Sequence, residues 1–286
     1  MEFNTPQNSN PLAKHFRQPA IYFKLPSNGA HWPNGSLNLP VTGELGVMSM
    51  TTRDEITLRT PDALMNGQGV VDVIQSCCPN IIDAWAMPSI DVDATLIAIR
   101  IASYGNDMEF KSTCPKCGEE HEYNVDLGVT LGSVKSPNYN KTLTYQDLIF
   151  KFKPQAYFDF NKNNMIAFEE QQIIRAIDSS EDPEVVKETF NLHLNKAIEL
   201  NINLLTSSTE YIELDNGIKT SEPAHLAEFY QNADAKVIRA AQDFLAEFSK
   251  EGALPPYNVV CANQECKTEF PVSIVFEYAS FFGKGS

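Results

Sequence analysis

Long apolar runs are missing from this sequence. No window approaches the roughly 18 uninterrupted apolar residues of a membrane-spanning helix, and the opening stretch from Met1 to Phe16 lacks the apolar centre of a secretory leader. Cysteine is scarce: six in 286 residues are too few for a disulfide-stapled secreted scaffold of this length. Positive charge is also short, with 22 Lys and Arg against 37 Asp and Glu and a net charge of −15. A surface like that repels phosphate backbones and anionic headgroups. The expectation is a soluble protein made in a reducing cytoplasm, with no nucleic-acid partner and no direct membrane insertion.

Catalytic signatures are missing as well. The five histidines, at 15, 31, 121, 193 and 225, form no His-x-x-x-His pair and adjoin no Gly-x-Ser-x-Gly turn. Neither a Walker loop nor Gly-x-Gly-x-x-Gly occurs. His193, between Phe190 and Leu194, reads as a helix-flank residue, and Glu169-Glu170 and Ser180-Glu-Asp182 as solvated faces and caps. No catalytic residue and no small-molecule substrate are expected. The protein reads as a building block rather than an enzyme.

What is present is an ordinary globular composition, 43% apolar and 10% aromatic. Residues 1–47 are rich in Pro, Gly and Asn, with one short strand at Ala20–Leu25, and predict an extended N-terminal arm that lies on a neighbouring subunit; a disordered tail is the alternative for the first ten. Residues 48–112 predict an α/β body. There, 54–59 fits a strand or a helix, 61–65 a helical turn, and Val70, Val73, Ile74 and Cys77 a helix ended by Pro79. The strongest helix covers 91–104, with Asp91 or Asp93 as its cap and Gly105 as its stop. Residues 113–160 predict strands at 120–127 and a pair over 141–160 joined near Pro154. A mainly helical insertion follows over 161–255, with helices at 162–178 and 183–205. The second of these carries Val186, Phe190, Leu194, Ile198 and Ile202 along one face. Asn216-Gly217 signals a hairpin, another helix starts after Ser221, and 234–250 forms the last, with Val237, Ile238, Ala241, Phe244, Leu245 and Phe248 inward. Residues 256–286 complete the chain with a strand at 270–278 and the apolar Phe281-Phe282, which, like the cluster Tyr22, Phe23 and Trp32, is expected at a contact surface, with ordinary packing as the alternative. The fold class is α+β.

Cys114-Pro-Lys-Cys117-Gly118 has the form of a zinc knuckle, whose two-residue gap lets both thiolates converge on one ion. Cys261 and Cys266 make a second pair with a four-residue gap, and an alternating strand follows each pair. The two pairs lie 144 positions apart, so one ion would tie the end of the chain to its middle. Cys114, Cys117, Cys261 and Cys266 are therefore the expected ligands of structural Zn²⁺ in a β-rich zinc ribbon formed by distant segments. Four thiolates leave no open position for substrate. Two unrelated pairs of free cysteines, iron in place of zinc, and His121 in place of one thiolate are the alternatives. Cys77-Cys78 has poor geometry for a shared ligand and reads as a helix-end core feature.

Several stretches resemble, in their order along the chain, the baseplate protein family of T4-like contractile-tailed bacteriophages, whose members are described as baseplate hub subunits or hub assembly proteins. They are Pro11–Arg17 with Ile21–Ser27, Met50–Glu55 with Pro61–Leu64, Ile99–Gly105 leading into Cys114–Cys117, and Phe281–Gly283. The resemblance implies a virion protein acting at the centre of the tail baseplate, assembled in the host cytoplasm. Other baseplate and hub proteins and copies of itself are the implied partners. A zinc-ribbon adaptor or regulator that binds a host protein complex is the rival reading, and a metalloenzyme is the third.

Overall fold

The computed structural model describes residues 12, 15–60, 67–179, 183–252, 255–272 and 281–282. The expected helical turn at 61–65 and most of the strand expected at 270–278 lie outside them.

Alternation in β1 (Pro19–Lys24) points Phe23 inward, opposite Leu45 of β2 (Glu44–Met48) in an antiparallel pair. Phe23, Leu25, Leu45 and Val47 are all buried in the largest core. The extended arm is thereby corrected for the described part of 1–47: its turn residues shape loops between core strands. Arg17 fixes the entry, donating to the carbonyls of Ser49 and Ser76 at 2.9 and 2.7 Å and pairing with Asp54 at 3.2 Å. Phe23 was also expected at a contact surface, with Tyr22 and Trp32. Only Tyr22 of the three is exposed.

Residues 54–59 resolve as a helix, α1 (Thr52–Thr57), because Thr51 and Asp54 form a reciprocal capping box. The predicted face of Val70, Val73, Ile74 and Cys77 is buried in α2 (Gln68–Cys77). Cys77 and Cys78 are indeed core residues, and burial pushes both thiols up, Cys77 to about 12.

The central helix α3 (Ser89–Tyr104) is buried on nearly every side, polar Asp91, Thr95 and Arg100 included. Each of its large side chains contributes about 1.5–3 kcal/mol by leaving water. The helix begins two residues earlier than expected, at a Pro88 cap, so neither Asp91 nor Asp93 caps it. Asp91 instead accepts from the Ser27 amide at 2.8 Å, the Ser27 hydroxyl at 2.6 Å and Trp32 Nε1 at 2.8 Å. It pins the entry loop to the central helix. Gly105, in left-handed backbone at φ 89°, stops the helix as predicted.

β3 (Asp107–Thr113) and β4 (Glu120–Asp126) form a hairpin that leads into α4 (Leu127–Ser133). A second core grows on an antiparallel sheet ordered β5 (Thr142–Tyr145), β6 (Leu148–Phe152), β7 (Thr209–Leu214) and β8 (Lys219–Thr220). The β5–β6 turn falls at Gln146, at φ 55°, not at Pro154 as predicted, and Pro154 instead precedes a helix. That helix, α5 (Tyr157–Ser179), runs against α6 (Pro183–Ser208). They are antiparallel, with Lys196 3.1 Å from Glu169 and His193 Nδ1 3.5 Å from Glu170. Then come α7 (Pro223–Asn232) and α8 (Ala235–Gly252), which lays Val237, Ala241 and Phe248 on Phe150 and Phe152 of the sheet.

The stripe expected along one face of α6 is left largely uncovered. Phe190, Leu194 and Ile198 stand about half exposed, at 53%, 48% and 50%, whereas Leu205 near the helix end is buried. The apolar stripe exists, but among the described residues no third layer covers its first half. The chain closes with β9 (Tyr257–Val260) paired to β10 (Glu269–Val272), and with Phe281 and Phe282 in the first core. Arg100 of α3 donates from Nε to the Phe281 carbonyl at 3.0 Å. The apolar end of the chain is thus a core element, not the contact surface expected of it. Among the described residues no helix is long and apolar enough to cross a membrane.

Candidate metal centre

Each cysteine pair sits at the tip of a hairpin. β3 carries the chain to Cys114 and β4 carries it away from Cys117, while β9 and β10 do the same for Cys261 and Cys266. The outgoing strands were expected; the incoming ones, β3 and β9, were not. Met108 and Phe110 alternate with polar neighbours in β3 and were the available signal. A boundary drawn at residue 112 cuts this hairpin in two, so β3 belongs with the first knuckle.

Tight turns set the ligand directions. Gly118 N donates to Cys114 O at 2.9 Å and Cys114 N to Glu119 O at 2.9 Å, with Gly118 at φ 75°. In the second turn Cys266 N and Lys267 N both donate to Asn263 O at 3.1 Å, and Cys261 N donates to Thr268 O at 2.9 Å. Lys267 follows Cys266 as Gly118 follows Cys117, and it takes the same left-handed backbone, at φ 44°. The local geometry needs that conformation but not a glycine. Asn263 Nδ2 donates to Glu119 Oε2 at 2.9 Å and bridges the two turns. Beneath the sulfurs, Tyr123 packs edge-on against Phe270 with centroids 6.0 Å apart, beside buried Val259.

The four sulfurs lie within 4.8 Å of one another. Cys114 Sγ is 3.8 Å from Cys266 Sγ, and Cys117 Sγ is 3.6 Å from Cys261 Sγ. Both separations far exceed the ~2.05 Å of a disulfide, and the thiols are free. A tetrahedral ion with Zn–S bonds of about 2.3 Å requires sulfur–sulfur edges of about 3.8 Å. These sulfurs fit. Cys114 and Cys261 are buried, Cys266 is half-buried and Cys117 faces solvent.

The environment already favours thiolate at two positions. The Cys117 amide, and behind it the Lys116 amide, hold the Cys114 thiol below its ordinary value. The Thr268 hydroxyl and amide pull Cys266 down to about 6, while burial pushes Cys261 up to about 12. A bound cation would favour the thiolate at all four, as metal ligation does. His121 points elsewhere, its Nε2 3.3 Å from Glu119 Oε2, and it is not part of the four-residue group.

Fold and site together define an α+β protein in which two distant hairpins bring four cysteine sulfurs together, close enough to hold a metal ion. The chain belongs to the T4 bacteriophage base plate protein family, whose model matches residues 32–283. No curated protein and no solved structure matches it. Membership makes it a structural protein of the phage baseplate, at the tail of the virion.

Proposed function

We propose that the protein is a non-catalytic structural or assembly component of the central hub in the baseplate of a contractile tail, stabilised by Zn²⁺ on Cys114, Cys117, Cys261 and Cys266. When bound, the ion supplies cross-linking and charge neutralisation rather than reactivity, since four thiolates fill its coordination shell. The hairpin amides and the Asn263–Glu119 bridge hold the thiolates in place. Other baseplate and hub proteins and copies of this chain are the proposed partners, joined during assembly in the host cytoplasm.

The observation that carries an assembly role is the α5–α6 pair. Phe168, Phe190, Leu192, Leu194 and Ile198 are all exposed on it, within a strongly acidic chain. Apolar side chains grouped on one element, on a protein that works inside a large assembly, support a contact surface. Deleting the gene tests the hub role. The deletion phage is expected to make heads and free tail parts but no complete baseplates, with infectivity restored by the protein supplied in trans. Normal baseplates and tails without the protein would overturn this reading. Complete baseplates that fail to inject would replace assembly with a role in penetration.

A further inference from the structure

A cavity of about 210 Å³ lies where the start of α5, the end of α6 and the start of α7 meet. Its wall includes Lys153, Asp159, Lys162, Asn163, Asn203 and Thr206. Asn163 is only 7% exposed, and neither its Oδ1 nor its Nδ2 has a partner. Asn203 Nδ2 and Thr206 Oγ1 are likewise buried and unmet. Other hydroxyls on this wall are engaged: Ser207 Oγ donates to Asn203 O at 2.6 Å, and Thr209 Oγ1 lies 2.7 Å from Tyr230 Oη. Buried polar side-chain atoms nearly always have partners, so several unmet atoms at one cavity mark a place built around something polar.

The surroundings indicate its charge. The wall includes two lysines, Lys153 and Lys162, and one acidic residue, Asp159. None of the three has an ion-pair partner among the described residues. The N-terminus of the ten-residue α7 forms part of the same wall through Ser221 and Pro223, and its Glu222 cap makes no side-chain bond to the first turn. Unsatisfied first-turn amides and the helix dipole favour an anion there. Asp159 and the Asn163 Oδ1 ask for something else, a ligand that can also donate. Hydrogen phosphate meets both needs: three oxygens accept from the ammonium, amide and hydroxyl groups, and its P–OH donates to a carboxylate or amide oxygen. Sulfate has no proton to offer at neutral pH and would meet Asp159 as a repelling charge. A water takes up roughly 30 Å³ in the liquid, so the cavity has room for one tetrahedral oxyanion with its waters.

We propose that this cavity is a binding site for free hydrogen phosphate, selective against sulfate. The site is separate from the cysteine cluster, and its test does not depend on the hub reading. Melting temperature and calorimetric binding of the full chain are measured in phosphate, sulfate, chloride and β-glycerophosphate at matched ionic strength. Phosphate is expected to raise the melting temperature and bind at one site per chain, with sulfate at least tenfold weaker. Lys162→Gln, a change at an exposed residue, is expected to weaken phosphate by about tenfold. Asp159→Asn is expected to narrow the gap between phosphate and sulfate. Asn163→Leu fills the unmet amide with apolar atoms and should abolish the phosphate-dependent shift while keeping a cooperative melt. If that variant fails to fold, Lys162→Gln and Asp159→Asn decide the question. Equal shifts in all four salts, or no shift in any, would overturn the proposal and leave the cavity to water. β-Glycerophosphate binding as tightly as phosphate would overturn the free-ion assignment in favour of a phosphomonoester. Phosphate binding untouched by both Lys162→Gln and Asp159→Asn would place it elsewhere and overturn the site.

Discussion

Stripping the ion from the cysteine cluster tests the proposed zinc centre at its physical basis. The sulfurs that must share the ion come from segments 144 positions apart along the chain. In an unfolded chain, closing a loop of that length costs about 5 kcal/mol at 25 °C by the chain-entropy estimate for cross-links. Folding has already brought the hairpins together, so the ion prefers the folded chain by up to about 5 kcal/mol over one in which each pair binds alone. For a chain of this size 1 kcal/mol corresponds to roughly 2 °C. Metal removal is therefore expected to lower the melting temperature by up to about 10 °C. The loss should start locally, because among the described residues only Cys114, Val259, Cys261 and Phe270 are buried in the hairpin core and two of them are the proposed ligands. The assay has three parts: elemental analysis with native mass spectrometry, expected to give about one zinc per chain; melting with and without chelator; and limited proteolysis. Cleavage after chelation should appear around residues 113–120 and 261–268 while the sheet core of Phe150, Phe152 and Ile212 stays protected. Cys114→Ser and Cys261→Ser should reproduce the metal-free behaviour. Melting within about 2 °C of the parent, or a full complement of metal in both variants, would refute the four-cysteine assignment.

Gly118→Val puts a β-branched residue at φ 75°; it should cost about 1–2 kcal/mol and weaken metal binding, whereas Lys267→Gly should cost nothing in a competition titration. Replacing the exposed Phe190 and Leu194 by Ser should leave the melting temperature within about 2 °C of the parent, yet prevent incorporation when the variant is supplied to the deletion phage; normal incorporation would remove α6 as a contact surface. Asp91 is raised to about 6, chiefly by burial, so the folded chain holds this proton where the unfolded chain has released it. Its stabilising contribution is present below about pH 4 and is lost as pH rises through about 6, a change of up to about 3 kcal/mol. Denaturant titrations of the parent and Asp91→Asn from pH 4 to 7 should show the parent losing stability relative to the variant across that window, and parallel profiles would contradict the assignment.

Much of this molecule was legible in local spacing. The Cys114–Cys117 and Cys261–Cys266 gaps announce sulfurs able to converge on one ion, and the structure brings all four together. The helix α3, the Asn216-Gly217 turn and the inward face of α8 follow from helix and hairpin patterns, which neighbouring residues enforce on one another. What periodicity cannot say is which surface covers a given face. The α6 stripe of Phe190, Leu194 and Ile198 is a genuine helical pattern, but burial depends on a second element arriving, and none among the described residues does. The turn-rich segment before residue 47 looked like an arm because its strands are short. Only the pairing of β1 with β2 over α3, and the hydrogen bonds from Ser27 and Trp32 to Asp91, tie its described part to the core. The cavity of Lys162, Asn163 and Thr206 was equally hidden, since its wall comes from four segments with no shared motif. Sequence spacing determines how each segment presents its side chains. Which side chains meet, and which are left open to a partner, is decided by long-range packing, where contacts between distant residues outweigh the loop entropy of bringing them together.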